Sequence, residues 1–313
     1  MTLTIYWRLD PAAEAHRGEP STRRPNDLVP DGRTAANLRF DHYTQIARAA
    51  ALTGFDGLFV AHDDQADDSQ IIAAAVARST PRLLIVPEFP ASVGSAVYAA
   101  KRAVSFQRAT RERLGWAIIR DGDAATRLRG ADPIADDDIE TRIEEFLHVA
   151  RGVHGQQGFT FKGRFFEVEN GGFEDPLNAA SFPPVFLAGD DEDSIQFSAR
   201  HADVHLFSPA EPDVLHERVE RLDRLALEQD RTVAFGLVAT VIARESDEEA
   251  RAAGSADFVG SFDTVAERLS ALAAIGITHF LLSSSPQFEE AYRVGQFVLP
   301  RLRDRFPALR AAA

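Results

Sequence analysis

Eight short apolar runs punctuate this chain: Leu3–Leu9, Gly57–Ala61, Leu83–Pro87, Leu114–Ile119, Val185–Ala188, Val204–Phe207, Ala234–Ala243 and His279–Ser283. Amphipathic stretches separate them, at Asp41–Thr53, Ser69–Arg78, Ala96–Ala109, Asp136–Val153, Pro212–Gln229, Phe262–Ile275 and Phe288–Phe306. Parallel strands joined by crossover helices produce this alternation, and eight is the number of strands that closes a (β/α)8 barrel. The sequence therefore predicts an α/β fold, a single TIM barrel over residues 1–313 with short insertions. With 45% hydrophobic residues, a chain of 313 can fill one core of that size.

Two stretches interrupt the pattern. Residues 11–38 are rich in Pro, Gly, Arg and Asp and lack periodicity, which predicts a long loop at the barrel mouth. It is either part of the active-site face or plain surface. Residues 159–168 carry Phe161-Lys162-Gly163-Arg164-Phe165, a hairpin signal between aromatic positions.

Composition narrows the function. A net charge of −14 disfavours nucleic acid and anionic membrane as partners, because both would be repelled at long range. The absence of cysteine excludes disulfides, thiolate metal sites, iron–sulfur clusters and a nucleophilic thiol. The first ten residues lack the charged and apolar regions of a signal peptide, so a cytoplasmic protein is expected. No framed metal-ligand pattern is present, and no metal is expected.

Barrels place their chemistry at the carboxyl ends of their strands. Polar groups expected there include Arg8, His62, Glu88, Arg120, His205, Thr240 and Ser285. His62, followed by two aspartates, has the make-up of a base or a donor, or is a hydrogen-bonded strand-end histidine. His205 is either catalytic or buried packing. Arg8 either binds an anion or pairs with Glu88 or Asp10.

The stretches Phe258–Phe262, Val265–Leu269, Gly276–Phe280 and Glu289–Gly295 resemble the bacterial luciferase-like flavin monooxygenases, most closely the alkanesulfonate monooxygenases. The resemblance continues at Ile5-Tyr6-Trp7, Asp41-His42-Tyr43, Gly54–Gly57, Pro183–Phe186 and Ala199–Asp203, and so spans nearly the whole chain. It implies a homodimer that takes reduced FMN from a separate flavin reductase and uses O2 to oxidise a small molecule. Arg120 resembles the flavin-phosphate arginine of bacterial luciferase. Gly189 falls in the phosphate turn after the fifth barrel strand, and Trp7 is a candidate to stack on the flavin.

Departures from the family pattern matter as much. Ala66, Val238, Thr240 and Ser285 stand where alkanesulfonate enzymes carry cysteine, arginine, histidine and tyrosine. A sulfonate needs cationic fork-like donors, so a simple alkanesulfonate is not the expected substrate. Between Glu249 and Phe258 only a short connector replaces the family's mobile lid. The phosphate turn reads Ala188-Gly189-Asp190-Asp191-Glu192-Asp193, whose carboxylates would repel a phosphate dianion unless they point away. The reading that follows is an FMN-dependent monooxygenase acting with O2 on another small organic substrate. Its alternatives are a non-catalytic flavin-binding or structural paralogue, and a deazaflavin-dependent oxidoreductase, which the acidic turn disfavours.

Overall fold

The computed structural model describes residues 2–12, 39–92, 94–120 and 122–306. Beyond Ala12, the 11–38 loop lies outside the described residues, as does Asp121. In chain order the strands are β1 (Thr4–Leu9), β2 (Gly57–Val60), β3 (Leu84–Pro90), β4 (Trp116–Ile119), β5 (Phe159–Lys162), β6 (Glu167–Gly171), β7 (Val185–Ala188), β8 (Val204–Phe207), β9 (Ala234–Arg244), β10 (Phe258–Ser261) and β11 (Ile277–Ser283). The helices are α1 (Arg39–Thr53), α2 (Ser69–Ala77), α3 (Ala96–Thr110), α4 (Ala124–Arg129), α5 (Ile139–Gly155), α6 (Glu192–His201), α7 (Pro212–Leu227), α8 (Asp247–Ala253), α9 (Phe262–Ala274), α10 (Gln287–Arg293) and α11 (Leu299–Asp304).

Strands hydrogen-bond in the order β10, β9, β11, β1, β2, β3, β4, β7, β8, and β8 pairs back onto β9. The eight strands from β9 through β8 close the ring of a (β/α)8 barrel, and β10 lies outside it as an addition to β9. Strands in such a ring are covered on both faces, which is why β2 and β8 are buried at every position and carry a single polar side chain between them, that of His205. Among the described residues no helix is long and apolar enough to cross a membrane.

Contacts group the chain into two units. One comprises the described parts of 1–83, 239–270 and 281–313. In it β1 runs parallel to β2, with Tyr6 opposite Gly57 and Leu9 opposite Val60. Asp56 fixes the start of that pair: it accepts the Ile5 N–H at 2.8 Å and takes the Arg303 guanidinium at 3.1 Å. At the other end, the Gln287 side chain bridges the Asp10 backbone, accepting its N–H and donating to its carbonyl, both at 2.8 Å. The aspartates after β2 are similarly occupied. Asp63 accepts from the Gln65 N–H, Asp67 accepts the Tyr43 hydroxyl, and Asp68 caps α2.

The other unit comprises 84–238 and 271–280. Here β3, β4, β7 and β8 run parallel in register, with Glu88 opposite Ala117, Ala117 opposite Phe186 and Leu187 opposite His205. The expected hairpin forms as β5 and β6. Its turn is gripped by the Glu145 carboxylate of α5, which accepts the N–H groups of Arg164, Phe165 and Phe166 at 2.7, 2.7 and 3.1 Å. Burial works to raise the Glu145 pKa, but these three bonds win and hold it below the usual carboxylate value.

Candidate functional site

The site builds up from the carboxyl ends of β4 and β7. After Ala188 the chain turns at Gly189, whose φ of +151° and tight surroundings call for glycine, since an added Cβ would lie 2.3 Å from the Ser194 Oγ. Helix α6 then opens on Asp191 as its N-cap. Asp191 Oδ1 accepts the Ser194 N–H at 2.8 Å and Oδ2 the Ser194 hydroxyl at 2.7 Å. Those bonds hold the Asp191 pKa below its ordinary value, with Arg120 adding to the effect.

The neighbouring carboxylates are also engaged. Asp190 accepts from the Ser208 N–H at 3.1 Å and the Arg218 guanidinium at 3.0 Å. Glu192 takes Arg221 at 2.6 Å and Gln196 at 2.8 Å. Arg120, just past β4, ion-pairs with Glu140 of α5, and its other amino group is 3.9 Å from Asp191. A cavity of about 190 Å³ lies here, walled by Ile118, Ile143, Leu187 and Phe197, with Arg120, Glu140 and Ser194 at its polar side. Pockets that enclose a ligand of ordinary size hold roughly 300–1,000 Å³, so this one suits a terminal group rather than a whole cofactor.

An FMN phosphate does not fit this turn. A phosphate at a helix N-terminus needs unclaimed N–H groups and positive potential. Here the Ser194 N–H is claimed by Asp191, and acidic residues fill the first turn. Locally three arginines (120, 218 and 221) face five carboxylates (Glu140, Asp190, Asp191, Glu192 and Asp193). A phosphate oxygen brought to ~4 Å from Asp191 would meet repulsion on the order of 4 kcal/mol per unit charge at an effective dielectric of about 20. Of the carboxylates anticipated from the sequence, Asp191 thus points into the turn, while Asp190 and Glu192 reach Arg218 and Arg221 of α7.

Two histidine expectations divide. His205 is fully buried on β8, and both its nitrogens are engaged, Nδ1 with the Ser198 hydroxyl at 2.7 Å and Nε2 with the Gly189 carbonyl at 2.9 Å. The carbonyl can only accept, so Nε2 carries the proton and the Ser198 hydroxyl donates to Nδ1. Burial pushes its pKa down to about 4, against the Gly189 carbonyl and the charges of Asp190 and Asp191. A catalytic His205 is therefore corrected: a neutral, sealed imidazole has no route to a substrate. It ties β8 to α6 and to the Gly189 turn. His62, by contrast, follows β2 half-buried, in the other unit.

Trp7 is corrected as well. Its side chain is 0% exposed, packs at 5.3 Å between ring centroids against Phe55, and leaves its indole N–H without a partner. No ring face is open for a flavin to stack on. Thr240 is exposed, but its N–H and hydroxyl are both bonded to Asp257, at 2.8 and 2.6 Å, so it is spent rather than aimed at a substrate. Ser285 is exposed just before α10, Arg8 is half-buried on β1, and Glu88 is buried on β3. The geometry thus joins Arg120, Gly189 and His205 through one turn, and Glu140 and Ser194 complete it. Glu140 carried no sequence signal beyond an acidic first turn, whereas Ser194, three residues after Asp191, fits the spacing of an N-cap bond.

The luciferase-like monooxygenase family model matches residues 22–293. Among solved structures, a riboflavin lyase with modified FMN and substrate riboflavin superposes with a TM-score of 0.83 at 17% identity, over 98% of this chain and 92% of that one. An EDTA monooxygenase from Chelativorans sp. BNC1 does so with a TM-score of 0.80 at 15% identity, over 97% and 94% of the two chains. A coenzyme F420-dependent tetrahydromethanopterin reductase from Methanopyrus kandleri gives 0.75 at 12%, over 96% and 100%. At such identities these structures establish the shared fold, while the family match covers most of the sequence: this chain belongs to the luciferase-like monooxygenase family.

Proposed function

We propose that this chain is an oxidoreductase that uses a reduced flavin-type cofactor and O2 to oxidise a small organic molecule other than a simple alkanesulfonate. The family match over 22–293 carries this reading. Arg120 and the apolar cavity at the ends of β4 and β7 support it, because they sit where a barrel of this type places its chemistry. The substrate limit follows from Val238, Thr240 and Ser285: none of them is a cation, and Thr240 is tied to Asp257. We further propose that reduced cofactor comes from a separate reductase, and that the chain acts as a homodimer in the cytoplasm.

One experiment separates enzyme from non-catalytic paralogue. A flavin reductase with NADH supplies reduced FMN or riboflavin in air, and O2 consumption is followed with and without this protein across a panel of small organic substrates. The expected result is a protein-dependent, substrate-dependent change in O2 consumption and a hydroxylated or cleaved product. If neither flavin gives any change with any substrate, the non-catalytic reading takes its place. That second reading has its own support in the capped α6 turn and in His205, sealed and unable to exchange protons with a substrate.

A further inference from the structure

We propose that Asp191 is a specificity-determining residue that refuses a cofactor's terminal phosphate, so that the chain discriminates against FMN in favour of riboflavin, the same ring system without the phosphate. This rests on the flavin-type reading above.

A phosphate dianion only accepts hydrogen bonds, and the donors of the α6 turn that face Asp191 already have an acceptor. The Ser194 N–H and hydroxyl already donate to Asp191, and Arg120 is held between Glu140 and Asp191. A polyol chain that ends in a hydroxyl brings a donor instead. Carboxylates have about four lone-pair sites each, so Asp191 and Glu140 could accept such a hydroxyl without giving up their present partners. Dinucleotide-binding folds make the same distinction, with an acidic side chain for a ribose hydroxyl and an arginine for a phosphate at the equivalent place. The adjoining cavity of about 190 Å³ has room for the end of a ribityl chain.

The test is a set of fluorescence titrations of oxidised FMN and riboflavin with the full-length chain, its Asp191→Ser and Asp191→Asn variants, and the double variant Arg120→Ala/Asp191→Ser. Serine and asparagine are good N-caps, so α6 is kept while the charge is removed, which a urea melt of each variant verifies. The wild-type chain is expected to bind riboflavin about tenfold or more tightly than FMN, a difference of roughly 1.4 kcal/mol. Asp191→Ser should tighten FMN by about tenfold and change riboflavin by less than about threefold, with Asp191→Asn giving a smaller gain. Removing Arg120 from the serine variant should abolish the gain. The proposal is overturned if wild type binds FMN more tightly than riboflavin, or if the variants gain nothing for FMN, or if they tighten both flavins alike. Should the wild-type chain bind neither flavin, the flavin-type reading fails by itself. The proposal then stands if Asp191→Ser gains FMN binding and falls if it does not.

Discussion

His205→Leu is expected to lower the stability of the chain by about 2–4 kcal/mol at pH 7.5 and to flatten its dependence on pH. The imidazole has no exposed surface and bridges the Ser198 hydroxyl to the Gly189 carbonyl. Leucine fills most of the volume but strands both polar groups, each at a cost of roughly 1–3 kcal/mol. The pH effect follows from the sign of the shift. Burial holds His205 at about 4 in the folded chain against an ordinary value of 6.5. Between those values the unfolded chain takes up a proton that the folded chain refuses. Stability from this group is therefore complete above pH 6.5 and is lost as pH falls towards about 4. At about 1.4 kcal/mol per pKa unit the full loss is roughly 3–4 kcal/mol. His201 and His279, held down to about 4 chiefly by burial, act in the same direction. Urea melts at pH 7.5 and pH 5 decide the matter: the variant should lose less stability between them than the parent. Identical losses would show that His205 is not the buried neutral group described here.

Gly189→Ala is expected to destabilise the chain by about 3 kcal/mol or more, for two independent reasons. At φ +151° an alanine is strained, at roughly 1–3 kcal/mol, and its Cβ would lie 2.4 Å from the Ser194 Cβ on the first turn of α6. Overpacking of that kind adds about 1–3 kcal/mol. The turn has little freedom to relax, because the Gly189 N–H donates to the Leu206 carbonyl and its own carbonyl accepts from His205. The collision is with the residue that Asp191 caps, so the variant should also loosen the α6 N-terminus. Urea denaturation checks the first effect and amide exchange at Ser194 the second. A Gly189→Ala chain within about 0.5 kcal/mol of wild type would show the turn to be permissive.

Much of this fold was legible in the sequence because its strands are buried on both faces. Runs such as Val204–Phe207 and Val185–Ala188 begin and end on apolar residues, and their bounds match the structure. Shorter or mixed elements were harder. Strand β10 passes straight into α9, so no turn residue marks its end. Helix α8 overlaps the stretch between Glu249 and Phe258 read as a connector, although Ser246 with Glu249 three residues on is a capping-box pattern, and Ser246 does accept the Glu249 N–H. The single helix expected over 288–306 is instead α10, a π-helical turn at Val294–Val298, and α11. Pro300 explains the break, since it has no N–H to give the preceding turn.

The site was legible in part, for a related reason. Periodicity tells which residues lie at strand ends but not which way a side chain faces or what it meets. Thus Arg120 and Gly189 lie together at the α6 turn, while Trp7 and His205, with equally suggestive chemistry, are closed into packing. The acidic turn was visible as a run of charge. That Asp191 occupies the place of an anion depends on the N-cap geometry, which only the folded backbone reveals.

The central claim is that the N-terminus of α6 is closed to an external anion by the chain's own carboxylate, and a crystal structure of the wild-type protein soaked in FMN tests it most directly. The account predicts Asp191 still bonded to the Ser194 N–H, with no phosphate oxygen in hydrogen-bond reach of that group. A phosphate oxygen on the Ser194 N–H, with Asp191 swung out and Arg120 turned from Glu140 to meet the phosphate, would contradict it.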